Sequence, residues 1–215
     1  MIIGSGLMAI ACNGIDREDV LFFASGVSDS SEKDDREFQR EENMLFTNIE
    51  KYHNKVFIYF GAIGGGELYL RHKYKMQSII LQKTNNFIIL NLSQVVGHGG
   101  NANTLFNAFR KSLLKGEEIK VYRDCFRSLI DIDDVMMILD SLIELKYYGV
   151  HNFYGIESLP VDLIVQYIAE SLGVKARMVM TAGNYVRIDN SIVIQRLIKG
   201  INTKNYTKNL IEKYI

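Results

Sequence analysis

The sequence has no tryptophan, one proline and two cysteines among its 215 residues. Cys12 and Cys125 are too few for a disulfide framework or a cysteine-built zinc site, so the expectation is two reduced thiols in a reducing compartment. Neither charge sign is in excess, with 25 Lys and Arg against 25 Asp and Glu. That balance offers no basic surface for nucleic acid and no acidic tail for a basic partner. No apolar run approaches a membrane span; the longest, such as Phe87-Ile88-Ile89-Leu90-Asn91-Leu92, are strand-sized. Met1-Ile2-Ile3 runs straight into Gly4 without a basic or long apolar leader, so no secretion signal is expected and the protein reads as cytoplasmic. There is also no internal repeat, no low-complexity tract and no evident linker.

What is present is an ordinary globular composition, 47% apolar, in a chain long enough for one domain with a sizeable core. Short apolar runs alternate with amphipathic stretches. Val20–Ala24, Val56–Phe60, Phe87–Leu90 and Ile119–Tyr122 read as strands. Helices are expected over about 33–52, where Phe38, Leu45, Ile49 and Tyr52 fall at helical spacing, and over 69–83 and 105–114. Asp133-Asp134 is expected to cap a helix running to about Leu145. Val150–Tyr154 reads as extended, Pro160 as the opening of a helix to about Leu172, and Ala176–Met180 as a weak strand. Strands and helices of these sizes in alternation imply an α/β fold with a doubly wound, mostly parallel sheet. The expected division is a nucleotide-binding core over 1–150 and a small C-terminal substrate-binding region over 151–215, packed together as one compact unit.

Two motifs carry chemistry. Gly4-Ser5-Gly6-Leu7-Met8-Ala9 follows the first apolar run and precedes a plausible helix. In a dinucleotide-binding turn the first glycine allows a tight bend, the second lets backbone approach a pyrophosphate, and a small third residue lets helix pack on strand. A plain strand-to-helix turn would have the same spacing. The second motif is Tyr69-Leu70-Arg71-His72-Lys73, directly after the strand at 56–60 and the break Gly61-Ala62-Ile63-Gly64-Gly65-Gly66. A Tyr and a Lys four apart share one helix face. A lysine held there favours the phenolate, which can then exchange a proton with a substrate oxygen.

With these pieces in order, the chain resembles the extended short-chain dehydrogenase/reductase family, in particular the nucleotide-sugar epimerases and dehydratases. The glycine turn, the segment Phe22-Phe23-Ala24-Ser25-Gly26, Asn43, the Tyr69/Lys73 pair, Asn91-Leu92-Ser93-Gln94-Val95-Val96-Gly97 and Arg127-Ser128-Leu129-Ile130-Asp131-Ile132-Asp133-Asp134-Val135 follow the family's order over about residues 1–175. The resemblance implies a Rossmann-like fold, NAD or NADP as cofactor, and action on a nucleotide-sugar in surface-polysaccharide synthesis. It implies Tyr69 and Lys73 as catalytic residues, with Lys73 also holding the nicotinamide ribose. Gly4, Gly6, Leu7, Met8, Ala24, Ser25 and Gly26 would line the cofactor. Asn91, Gly97, Asn103 and Arg127 would line the substrate, Arg127 meeting its diphosphate. A homodimer through the helices at 33–52 and 69–83 is implied in the same way.

Three departures stand beside it. The chain passes from the glycine turn through Asn13-Gly14-Ile15-Asp16 almost directly to Val20, so the second and third strands, and the residue that grips the adenosine ribose, are missing. The loop Gly61–Gly66 has no hydroxyl where the family has Ser or Thr, and Asn91 stands where it often has Arg. Two readings follow: an unusual enzyme in which another group does the hydroxyl's work, or a family member that binds a nucleotide or a protein without turnover. No metal site is expected from Asp131, Asp133 and Asp134, which suit a helix N-terminus better. His98, in a Gly/Asn loop, reads as an exposed loop residue.

Overall fold

The computed structural model describes residues 1–183 and 189–215; positions 184–188 of the expected C-terminal region lie outside the described residues. The first half alternates β1 (Ile2–Ile3), α1 (Leu7–Cys12), β2 (Val20–Phe23), α2 (Asp35–Lys51), β3 (Val56–Ala62), α3 (Glu67–Lys83) and β4 (Phe87–Leu92). The second half contains β5 (Gln94–Val96), α4 (Leu105–Leu114), β6 (Glu118–Tyr122), β7 (Phe126–Arg127), β8 (Leu129–Asp131) and α5 (Ile132–Glu144). It continues with β9 (Gly149–Phe153), β10 (Leu159–Pro160), α6 (Val161–Leu172), β11 (Arg177–Thr181), α7 (Ile192–Leu197) and α8 (Tyr206–Tyr214).

Five strands form one parallel sheet in the order β1-β2-β3-β4-β9. Their side chains alternate between two covered faces, which is why these strands read as unbroken apolar runs. Val20, Phe22, Ile58, Ile88 and Leu90 face one way and join Cys12 of α1 with Val135 and Leu139 of α5. Leu21, Phe23, Phe57, Tyr59 and Ile89 face the other way, under Leu45 and Ile49 of α2 and Met76 and Ile80 of α3. The doubly wound, mostly parallel α/β architecture expected from the sequence is the one formed.

Some local expectations shift. The cap of α5 is Asp131, whose carboxylate accepts from Asp133 N at 3.0 Å; Asp133 and Asp134 occupy the first turn instead. The acidic run has a second task. Lys213 of α8 pairs with Asp131 and Asp133 at 2.7 Å each, Tyr214 donates to Asp131 at 2.7 Å, and Tyr206 donates to Asp134. The C-terminal helix is thereby pinned to the start of α5. Pro160 ends β10 and caps α6 one residue before its first turn, where the absent N–H removes no helical bond. The division expected at 150/151 falls inside β9, a member of the main sheet, and the small pairs β6·β11 and β7·β10 also join the two sides.

The sheet order follows chain order without a reversal. A dinucleotide-binding sheet reverses direction beside its first strand, and the ligand lies where it does so. Here α1 is six residues long and a 3-10 turn over Asn13–Ile15 hands the chain straight to β2. Among the described residues, the two strands judged missing from the sequence are missing from the sheet as well. Among the described residues no helix is long and apolar enough to cross a membrane.

Ile88 is fully buried in β4 between two paired strands. Ile88→Ala is expected to lower stability by about 2–5 kcal/mol through lost transfer energy and the cavity left behind. Urea unfolding should show an earlier midpoint at unchanged slope.

Candidate active site

Parallel strands place all their C-terminal ends on one edge, and the loops leaving that edge carry most of the residues singled out in the sequence. Tyr69 and Lys73 stand on the first two turns of α3, one helical turn apart, and both are buried. Lys73 Nζ lies 5.5 Å from the centre of the Tyr69 ring. The loop after β2 passes directly below: a Cβ on Gly26 would come within 2.6 Å of Lys73 Nζ. A larger residue there would have to push the ammonium and the Glu41 carboxylate aside.

The arrangement is organised by a residue that the sequence reading did not select. Glu41 of α2 is fully buried. Its carboxylate accepts from Val27 N (2.7 Å), Tyr59 Oη (2.7 Å) and Lys73 Nζ (3.0 Å), with His72 Nε2 at 3.0 Å. Burial alone would raise its pKa, but the His72 bond, the Lys73 charge and the other donors outweigh it and hold the carboxyl down at about 2. Burial lowers the pKa of the Lys73 ammonium below its ordinary value, partly offset by Glu41. The same burial, with the nearby Glu41 and Asp29 charges, raises the Tyr69 phenol well above its ordinary value. The sequence suggested a lysine that lowers the tyrosine; instead the lysine is engaged by a carboxylate and the phenol stays protonated. One signal pointed to Glu41: it falls on the stripe of Phe38, Leu45 and Ile49, a carboxylate at a core position of an amphipathic helix.

The other expected residues divide. Gly4 has φ +128°, and a Cβ there would collide with the Ala24 carbonyl, so close packing of the ends of β1 and β2 itself demands glycine. Gly6 has open space above it. Leu7 is covered by the loop after β5: a Cβ on Gly97 would come within 2.8 Å of its Cδ1, and Gly100 also packs on it. Met8 packs against the main core. Ser25 is tied to α2, its carbonyl accepting from Arg40 Nη1 at 3.2 Å. Asn103 donates to Asp29 at 2.8 Å, which joins the loops after β5 and β2 across the edge. Asn91 is buried in an amide chain, accepting from Gln77 at 2.9 Å and donating to Asn152 at 3.0 Å. Arg127 donates to its neighbouring carbonyl, Phe126 O, at 2.8 Å. It is held near the end of β4 by the bond from Ser93 Oγ to Ser128 O at 3.0 Å. Asn43 is exposed and bonded to Gln39, away from this group.

The missing loop hydroxyl has a neighbour. Gly66 N donates to Ser30 O at 2.8 Å. A Cβ on Gly65 would come within 2.6 Å of the Tyr69 ring and 3.3 Å of Ser30 Cβ, so Ser30 and Tyr69 flank one glycine.

A nicotinamide dinucleotide can be tested against this edge in two halves. For the reacting half the residues fit: backbone at Ala24–Gly26 runs close beneath Lys73, with Tyr69 alongside. For the adenosine half they do not, because among the described residues no strand lies beyond β1 to carry a residue toward its ribose.

No family model matches the chain, and no curated protein does. Solved structures do. A dTDP-4-dehydrorhamnose reductase from Clostridium acetobutylicum superposes with a TM-score of 0.72 at 12% identity, over 97% of this chain and 84% of that one. A UDP-N-acetylglucosamine 4-epimerase from Methanobrevibacter ruminantium, solved with UDP-N-acetylmuramic acid, gives 0.71 at 16% identity over 99% and 81%. The Bordetella bronchiseptica enzyme WbmH, solved with NAD+, gives 0.70 at 13% identity over 97% and 78%. At such identities the likeness establishes the fold: the chain is built on the Rossmann-type α/β fold of these enzymes, as the resemblance implied.

Glu41 supplies the test of the buried group. Its folded pKa lies below the ordinary 4.5, so its contribution is complete above that value and is lost as pH falls toward 2. Glu41→Gln is expected to cost about 3 kcal/mol near neutral pH. The stability gap between the two proteins should close on acidification, as read from denaturation midpoints between pH 7 and pH 2.

Proposed function

We propose that this protein is an NAD(P)-dependent enzyme acting on a nucleotide-activated sugar, of the epimerase, dehydratase or reductase kind, used in building surface polysaccharide. The observation that carries the reading is the Tyr69/Lys73 pair, set beside the Gly26 backbone on the loop edge of a sheet shared with such enzymes. The cofactor, when bound, would supply or accept hydride at its nicotinamide ring. The remaining work belongs to the chain. Tyr69 moves the proton at the substrate oxygen, a proton that burial and the Glu41 charge hold more tightly than on an ordinary phenol. Ser30 supplies the hydroxyl that the Gly61–Gly66 loop lacks. Arg127 holds the diphosphate, for which its planar fork is suited, and Gly97 and Asn103 shape the loop over the substrate, with Asn91 fixing the floor through its amide chain.

A second reading, binding without turnover, is favoured by the commitment of Lys73 to Glu41. A lysine paired with a carboxylate has less charge to offer a phenolate formed after proton transfer.

Tyr69→Phe separates the two. Under the enzyme reading it removes turnover and leaves the fold and cofactor affinity intact, while Ser30→Ala lowers kcat with little change in KM. Unchanged activity in Tyr69→Phe would sink Tyr69 as the proton donor. Circular dichroism and calorimetric titration check the intact fold and affinity.

Assembly as a homodimer through α2 and α3 is part of the same proposal. Leu68, Tyr74 and Leu81 of α3 are exposed, whereas the groove between the helices is bridged by the Lys75–Glu42 and Lys83–Glu50 pairs. Sedimentation should give a dimer at micromolar concentration and a monomer for Tyr74→Asp; a monomeric parent protein would dispose of the dimer.

A further inference from the structure

We propose that the chain grips its nicotinamide cofactor by the nicotinamide-ribose-phosphate half alone, so that reduced nicotinamide mononucleotide, NADH and NADPH bind with equal strength. The inference rests on the redox reading above and deepens it by naming the part of the cofactor the site recognises.

The argument is topological. Discrimination between NAD and NADP, and much of the hold on adenosine, comes from a side chain at the end of a strand beyond the first one. Among the described residues β1 has β2 as its one neighbour in this sheet, and the order continues to β9 without doubling back. The chain between α1 and β2 is residues 13–19, too short to form another strand and its return.

The charged residues of that segment cannot substitute, because they lie at the wrong edge and are engaged there. Asp16 pairs with the Met1 ammonium. Arg17, the one guanidinium of the segment and the natural partner for a 2′-phosphate, pairs with Asp140. Val20 N donates to Arg17 O, and the Met1 ammonium to Val20 O, which fixes the segment at the N-terminal ends of the strands. Tyr69 and Lys73 stand at the C-terminal ends. Asn13 is tied back onto α1 through Ile10 O at 2.9 Å. The exposed turn at the start of α1, Gly4-Ser5-Gly6, offers no charged side chain toward a ribose, and Leu7 after it packs beneath Gly97 and Gly100. The groups described near the reacting end come from the loops after β2, β3 and β5 and from α2 and α3, and among the described residues no strand of this sheet lies beyond β1.

Calorimetric titration of the full chain with reduced nicotinamide mononucleotide, NADH and NADPH tests this. Dissociation constants within about threefold of one another are expected. Excess 2′,5′-adenosine diphosphate should leave NADPH binding unchanged. Preference for either dinucleotide over the mononucleotide by about tenfold or more would overturn the inference and leave the redox reading standing. Competition by the adenosine diphosphate would do the same. Failure of all three ligands to bind at millimolar concentration would overturn both.

Discussion

The structure depends on one buried carboxylate. Moving a charged carboxylate out of water is prohibitive unless hydrogen bonds and an opposite charge replace its hydration. Glu41 has both, and its partners come from separate parts of the chain: Val27 after β2, Tyr59 in β3, and His72 and Lys73 in α3. A single side chain thus fixes how α2 and α3 lie against the sheet and how the loop after β2 turns. It also bears on Gly26, because a methyl group there would press on both the Lys73 ammonium and the Glu41 carboxylate. The Phe38 and His72 rings, 4.8 Å apart, close the outer side.

That constraint sets the chemistry available. A phenol in a dry site next to a carboxylate holds its proton, because ionising it would place two negative charges side by side in a medium that screens them weakly. Tyr69 is in that position, with burial the larger cause and Glu41 the next. The Lys73 charge is divided between the existing carboxylate and any phenolate that forms. Tyr69 therefore holds its proton more tightly than an ordinary phenol, and how readily that proton can move is set by the helix that carries Glu41 as much as by the Tyr/Lys pair itself.

Much of the fold was legible because its signals are local or periodic. Apolar runs such as Phe87–Leu92 announce strands covered on both faces, and the spacing of Leu45 and Ile49 announces a helix. The missing strands were legible too, since seven residues between Cys12 and Val20 leave no room for them. The site was legible only in part. Tyr69, Lys73 and Gly26 do come together, and Asn103 and Gly97 do lie on loops crossing the same edge. Asn43 turns outward, since its spacing from Glu41 and Leu45 puts it off the buried stripe. Glu41 itself was passed over because its partners lie 14 to 32 residues away, and no local pattern marks a pairing set by how two helices cross a sheet. The cap of α5 was misplaced by two residues for a simpler reason: three carboxylates in a row of four are equally suited by type, and only backbone geometry selects Asp131.

Loss of two strands beside β1 and survival of the reacting edge are compatible because the two are built from different material. Tyr69, Lys73 and the glycine loop hang from β3 and α3, braced by Glu41 and by the amide chain Gln77–Asn91–Asn152 toward β9. None of these supports passes through the segment between α1 and β2. What such a loss removes is remote binding energy, the part of a ligand's hold that an enzyme can use to orient and distort at the reacting centre. Under the proposed function, a chain lacking the adenosine half would retain the groups assigned to proton transfer but have less binding energy with which to align a hydride donor. The expected consequence is a low kcat that a tighter hold on the sugar's diphosphate, through Arg127, would have to offset. The catalytic weakness of such a protein would then lie in its topology as much as in the missing loop hydroxyl.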